Sequence, residues 1–174
     1  GVVGGGIDRV AAALCRRLGG RAIRLGGDRF AAVRIVSAAG SLDLWDRGAA
    51  PLADDLWRRD LTLNAMALDP ATLELADPTG GLGDLRRGRL RATRPGVFLE
   101  DPLRVLRLAR LAAELPGFTV EERTRVAARE AAEGLTGIAA ERIREELLRL
   151  LAAPQAEAGL ALLATCGAEE LFGE

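Results

Sequence analysis

The feature that most constrains this chain is one change of apolar rhythm, at Pro95. Before it, apolar segments are short and broken by Gly, Asp and Pro; after it, apolar residues recur at helical spacing throughout. Such a chain cannot be one uniform architecture. The pattern predicts an α+β fold, with a head of mixed sheet and helix over residues 1–94 and an all-helical part over residues 95–174. Of 174 residues 49% are hydrophobic, enough for a sizeable buried core.

Within the head, Ile7, Val10, Ala11, Leu14 and Leu18 share a helix face that Gly19-Gly20 ends. Ala22 to Leu25, Phe30 to Ser37 and Leu42 to Leu44 read as strands separated by Gly26-Gly27-Asp28 and Ala38-Ala39-Gly40. Leu61 to Leu68 alternates like a strand, and Asp69-Pro70-Ala71-Thr72 turns it into a partner, Leu73 to Ala76. Beyond Pro95, Glu100 to Leu115 reads as one long helix stopped by Pro116-Gly117. Thr119 and Glu122 have capping-box spacing for a helix reaching Glu133. Ala139 to Ala152 is a third helix, and Pro154 is placed to start a last one.

Composition narrows the chemistry. The chain has no His, Tyr or Lys, so all 24 basic residues are Arg, a bias that fits GC-driven coding. This excludes an imidazole base, a His-dependent nucleophile or zinc site, a P-loop lysine and a Schiff base. Carboxylates remain for Mg²⁺, with Arg, amides and hydroxyls for phosphates and bases. The net charge is −1 with pI near 5.7, so any RNA contact must come from local arginine clusters. Cys15 and Cys166 have no metal or redox spacing, and no apolar run reaches the roughly 18 residues of a membrane span, so a reduced, cytoplasmic setting is expected. The opening GVVGGG reads as the end of a strand, so the chain is expected to be part of a longer protein.

Two constellations carry chemistry. In Arg58-Arg59-Asp60-Leu61-Thr62-Leu63-Asn64, a strand would align Asp60, Thr62 and Asn64 on one face beside two guanidinium groups. The row suits a ribose and a triphosphate; it also suits a solvated strand face. In Glu100-Asp101-Pro102-Leu103-Arg104, a continuous helix would put Glu100, Asp101 and Arg104 on one side, with Arg107 and Arg110 following in i+3 steps. The plain alternative is a helix start with acids at the N-terminus and a Glu100–Arg104 pair. The sharper one uses the donor and acceptor inventory: a carboxylate only accepts and a guanidinium only donates, so Asp101 beside Arg104 matches the amine and ring nitrogen that cytosine and adenine share. Arg142, on the third helix, is expected to have no part in base choice. Asp77-Pro78-Thr79-Gly80-Gly81-Leu82-Gly83-Asp84-Leu85 lacks a phosphate-loop order and reads as a turn and short helix.

RRDLTLNAMALDP, DPTGGLGDL, FLEDPLRVLRLARLAAEL and ERIREELLRLL, in that order, resemble the bacterial tRNA nucleotidyltransferase and poly(A) polymerase family, the class II CCA-adding enzymes. The resemblance runs from about Ala11 to the C-terminus. It implies a nucleotidyltransferase palm followed by a helical neck. It further implies addition of C or A to the tRNA 3′ end from CTP and ATP, with Mg²⁺, and no membrane or DNA partner. By the same resemblance Arg58, Arg59 and Asp60 contact sugar and phosphates, and Asn64 lies in the same motif. Glu100, Asp101 and Arg104 serve the base edge, assisted by Arg107 and Arg110. The family's D-x-D metal pair and its G-G-x-V-R-D turn do not occur in this sequence. Asp43 is left as the catalytic and metal-ligand candidate, and a single carboxylate is a poor Mg²⁺ site, so the chain by itself is expected to be inactive. CCA-adding, CC-adding, A-adding and poly(A)-forming members, and a non-catalytic nucleotide- or RNA-binding remnant, share these motifs and stay open.

Overall fold

The computed structural model describes residues 6–25, 32–46 and 48–168. Its contacts divide the chain into two compact units between Asp55 and Leu56.

In the first unit, α1 (Ile7–Leu18) ends where Gly19 turns left-handed at φ 61°, and the amides of Gly19 and Gly20 both return to the Cys15 carbonyl. β1 (Arg21–Leu25), β2 (Ala32–Ser37) and β3 (Gly40–Trp45) form an antiparallel meander in that spatial order. Alternation along β2 decides which face is covered: Val33 and Ile35 are buried against Ile7 and Ala11 of α1, with Leu44 of β3. Arg34 and Asp43, paired in register across β2 and β3, therefore sit on the other face. The helix and the strand order match the sequence pattern; residues 26–31, which include Phe30, lie outside the described residues.

α2 (Leu52–Trp57) crosses the division. In the second unit, Leu61 bridges Ala92 and the chain then closes a 3-10 turn over Thr62–Asn64. The expected strand Leu61 to Leu68 is thus reduced to β4 (Ala67–Leu68), paired with β5 (Leu75–Ala76). The turn between them is held by Asp69, whose Oδ1 accepts from the amides of Ala71 and Thr72. α3 (Gly81–Arg86) follows, then β6 (Arg89–Leu90), which pairs in parallel with β7 (Thr119–Val120).

The helices are α4 (Val97–Glu100), α5 (Leu103–Glu114), α6 (Glu122–Ala131), α7 (Ala140–Leu151) and α8 (Ala156–Thr165), with a 3-10 segment Ala132–Gly137 after α6. The expected single helix from Glu100 is broken at Asp101, which is extended at φ −147°. Pro102 is the cause, because its ring disfavours the helical region for the residue before it. Thr119 does not cap α6: it pairs in β7, and Glu121 stands at the helix start. α5 is the axis of this unit. Val105, Leu106, Leu108 and Ala109 are all but inaccessible, packed with Leu135, Leu150 and Leu163 and also with Leu61, Leu90, Val97 and Phe98. Leu61 and Leu90 lie before Pro95, so that segment supplies side chains to the helical core, in line with a compact unit that begins at Leu56. Gly159 of α8 meets α5 so closely that a Cβ there would lie 2.7 Å from the Ala109 carbonyl oxygen.

Candidate functional site

Asp60 is the centre of the second unit's polar constellation. Its side chain is 4% exposed. Oδ1 accepts from the Leu61 amide at 2.8 Å and from Asn64 Nδ2 at 3.2 Å. Oδ2 lies 3.0 Å from Arg107 Nε, yet neither atom has a hydrogen-bond partner among the described residues. The charges touch without the angle a hydrogen bond needs, which leaves a buried acceptor and a buried donor unsatisfied. The backbone around Asp60 is pinned to the segment before Pro95, where the Thr93 amide donates to the Asp60 carbonyl at 3.1 Å and Thr93 Oγ1 to the Arg59 carbonyl. Arg58 is exposed and Arg59 half-buried. The expected row of Asp60, Thr62 and Asn64 is not formed. The 3-10 turn brings Asn64 back onto Asp60 and sends the buried Thr62 the other way, to Asp84.

The residues around α5 divide by partner. Glu100 pairs at 2.5 Å with Arg94, whose Nε also donates to the Trp57 carbonyl. The hydrogen bond from Arg94 Nη2 to Glu100, against some desolvation and with the charges of Arg94, Arg104 and Arg58, holds the Glu100 carboxyl below the ordinary glutamate range. The expected Glu100–Arg104 pair gives way to Arg94, because Glu100 and Arg104 belong to different helices; Arg104 Nη1 donates to the Val97 carbonyl at 3.0 Å. Asp101, in the break, receives Arg142 Nη2 at 3.1 Å. Arg107 faces Asp60, as above. Arg110 is drawn inward, 13% exposed, between Glu114 at 2.6 Å and Glu146 at 2.7 Å. Burial lowers its pKa, but the two carboxylates outweigh that and raise it. Its donors are directed into the contact between α5 and α7, which removes the geometric basis for grouping it with Arg104 and Arg107.

The glycine-rich segment folds as the turn and short helix that its order indicates, with Asp77 accepting from the amides of Gly81 and Leu82. Sequence reasoning missed its last acid. Asp84 is 1% exposed and accepts from Thr62 Oγ1 at 2.8 Å, Arg89 Nε at 2.7 Å and Arg91 Nε at 2.8 Å. Burial pushes its pKa up, yet the hydrogen bonds from Thr62, Arg89 and Arg91 prevail and hold it low. The arginines that follow at close spacing, Arg86 to Arg91, were the only available signal. This hub ties the Thr62 turn, and so Asp60, to α3 and β6.

Asp43 lies in the first unit and is held by Arg34 through both oxygens, at 2.7 and 2.8 Å. The Arg34 hydrogen bond lowers the pKa of this exposed acid, against slight desolvation and with the Arg34 charge. Among the described residues no three acidic or cysteine side chains cluster to hold a metal ion. One carboxylate already occupied by a guanidinium does not fit a Mg²⁺ site.

A buried aspartate with an unmet acceptor, an Asp-Pro break and arginines on the next helix are the chemistry-bearing features of the second unit. Family comparisons match both parts of the chain. Residues 30–91 match the poly A polymerase head domain, and residues 117–172 match the probable RNA and SrmB-binding site of polymerase A. The CC-adding tRNA nucleotidyltransferase of Synechocystis is 38% identical over 88% of this chain and 36% of its own length. The multifunctional CCA protein of Vibrio cholerae is 49% identical over 67% of this chain and 30% of its own. The Thermotoga maritima CCA-adding enzyme complexed with tRNA superposes with a TM-score of 0.78 at 28% identity, covering 97% of this chain and 42% of that one. A CCA-adding enzyme complexed with CTP superposes at 0.79, with 27% identity over 97% of this chain and 43% of that one. The chain belongs to the tRNA nucleotidyltransferase and poly(A) polymerase family. It spans about a third of the length of these curated relatives.

Proposed function

We propose that the chain is the nucleotide-binding part of a template-independent RNA nucleotidyltransferase that adds C, A or both to the tRNA 3′ end, taking CTP and ATP and releasing pyrophosphate. In this reading residues 1–94 are the head, residues 95–174 the neck, and the work is cytoplasmic. The observation that carries the proposal is the buried, unmet Oδ2 of Asp60 beside Arg107. A ribose hydroxyl is a donor of the right kind for that oxygen, which has to be uncovered to receive it, while the half-buried Arg59 and the exposed Arg58 adjoin it for the phosphates. Asn64 fixes the other Asp60 oxygen. Asp101 accepts from the amine of cytosine or adenine, and Arg104, anchored on the Val97 carbonyl, donates to the adjacent ring nitrogen. These residues bind and orient, which is the larger part of what a protein supplies to phosphoryl transfer. Divalent metal would supply charge stabilisation to such a transfer, but Asp43, paired with Arg34, does not make its site. That same observation favours a second reading, in which this chain by itself binds nucleotide or RNA without catalysis.

The test is a double-mutant cycle on binding. CTP and 2′,3′-dideoxy-CTP are titrated into the chain and into Asp60→Asn. Hydrogen bonds to a charged acceptor contribute about 1.5 to 3 kcal/mol, so the sugar hydroxyls should be worth roughly 10- to 150-fold in the native chain and much less in the variant. Equal loss in both would remove Asp60 from the ribose contact.

A further inference from the structure

Arg142 reaches across the second unit to the one acid of the base-reading pair. It stands in the first turn of α7, and its Nη2 lies 3.1 Å from Oδ2 and 3.5 Å from Oδ1 of Asp101, 41 residues earlier in the chain. Asp101 sits in the break between α4 and α5, extended and without the helix neighbours that restrain a side chain. Its carboxylate would otherwise turn among several rotamers. The pair itself is poorly sheltered, with Arg142 52% and Asp101 29% exposed, so it adds little to folding. What it does is choose where the Asp101 oxygens point. A carboxylate has about four acceptor positions, so an oxygen that receives Arg142 still has capacity for an amine.

We infer that Arg142 is a positioning residue for base choice: it holds the Asp101 carboxylate in the orientation that accepts from the amine of cytosine or adenine. The inference rests on the base-reading role proposed for Asp101 and Arg104, and it reverses the sequence expectation that Arg142 is indifferent. Arg142 touches no nucleotide in this scheme; it acts through Asp101. Because the pair is exposed, salt weakens it, whereas four triphosphates of equal charge lose phosphate attraction alike. Ionic strength therefore changes the ratio between nucleotides only through contacts such as this one.

Binding of CTP, UTP, ATP and GTP is measured by equilibrium dialysis on the full chain, on Arg142→Ala and Arg142→Lys, and on Arg144→Ala as a control from the same helix. The native chain should prefer CTP to UTP and ATP to GTP. A contact of this kind is worth at least about 5-fold, so Arg142→Ala should lower both ratios by roughly that factor, with tripolyphosphate binding unchanged. Arg142→Lys should recover part of the preference, and Arg144→Ala should keep all of it. Raising salt should lower the native ratios and leave those of Arg142→Ala in place. Native discrimination that survives Arg142→Ala overturns this inference alone. Equal or undetectable binding of all four by the native chain overturns the base-reading role, and this inference with it.

Discussion

Replacing Asp84 with alanine tests the hub that holds the candidate site together. Asp84 is 1% exposed, whereas Arg89 and Arg91 are 37% and 26% exposed. Removing one partner of a fully buried ion pair destabilises by about 3 to 5 kcal/mol, because the other charge is left without compensation. Here the cost falls toward the lower end. Water reaches Arg89, and Arg91 keeps its 2.6 Å hydrogen bond to the Thr79 carbonyl. The expected loss is therefore about 3 kcal/mol, or on the order of 10 to 15 °C in the melting temperature of a unit this size. Calorimetry, or urea melts followed by circular dichroism, reads it directly. Loss of less than about 1 kcal/mol would refute the reasoning, since it would mean that the two arginines rehydrate freely and the hub is not a closed site.

The same residue gives a pH signature with a definite sign. The folded Asp84 has a lowered pKa, so its contribution is fully present above the unfolded aspartate value of about 3.9 and is lost as pH falls through the lower folded value. Asp84→Asn lacks that titration. The stability gap between native chain and variant should accordingly be constant near neutrality and close below about pH 4; a gap that widens on acidification would contradict the assignment.

Gly81→Ala should destabilise by about 2 to 3 kcal/mol, because the new Cβ would lie 2.1 Å from the Thr62 carbonyl oxygen, a backbone atom that cannot turn aside; a melt within a degree or so of native would show the contact to be loose. Arg110→Ala leaves Glu114 and Glu146 without their shared guanidinium, so stability should fall by about 2 to 3 kcal/mol while the preference among nucleotides stays native; the reverse outcome would restore Arg110 to the nucleotide site. Asp101→Asn presents a donor where only acceptors stood, and should move binding toward UTP and GTP by about 5- to 150-fold relative to CTP and ATP; a uniform loss across all four would make the Asp-Pro break purely structural. Finally, the chain incubated with tRNA lacking its 3′ end, Mg²⁺ and labelled CTP or ATP should give no extension, since Asp43 is committed to Arg34; robust incorporation would show that the carboxylates have been misplaced.

Periodic elements were legible because burial writes them into the sequence. α1 and α7 follow from apolar spacing, and the strands β1 to β3 from short apolar segments set apart in the sequence by glycine-bearing stretches. Leu61 to Leu68 misled for a physical reason: its alternation of Leu and polar residues is equally served by a bridge at Leu61 followed by a 3-10 turn. In that turn Thr62 is buried against Asp84 and not displayed to solvent. Alternation reports two environments and not the backbone that separates them. The continuous helix from Glu100 failed on Pro102, where the apolar stripe carries on across a real break.

For the site, residue types were legible and partners were not. Glu100 and Arg104 have the spacing of an ion pair, but the helix break hands Glu100 to Arg94 instead. Arg107 and Arg110 are three residues apart on one helix, yet one meets Asp60 and the other is enclosed by Glu114 and Glu146. The deciding contacts span long stretches of chain, 36 residues for Arg110 with Glu146 and 41 for Arg142 with Asp101. Helical spacing says nothing about such distances. Both are set by α7 packing against α5, whose buried Leu106, Leu108 and Ala109 lie in one core with Leu150. The apolar pattern that formed the neck therefore also selects which arginine is neutralised and which acid is oriented. Base choice, on this account, depends on a packing contact as much as on the residues that read the base.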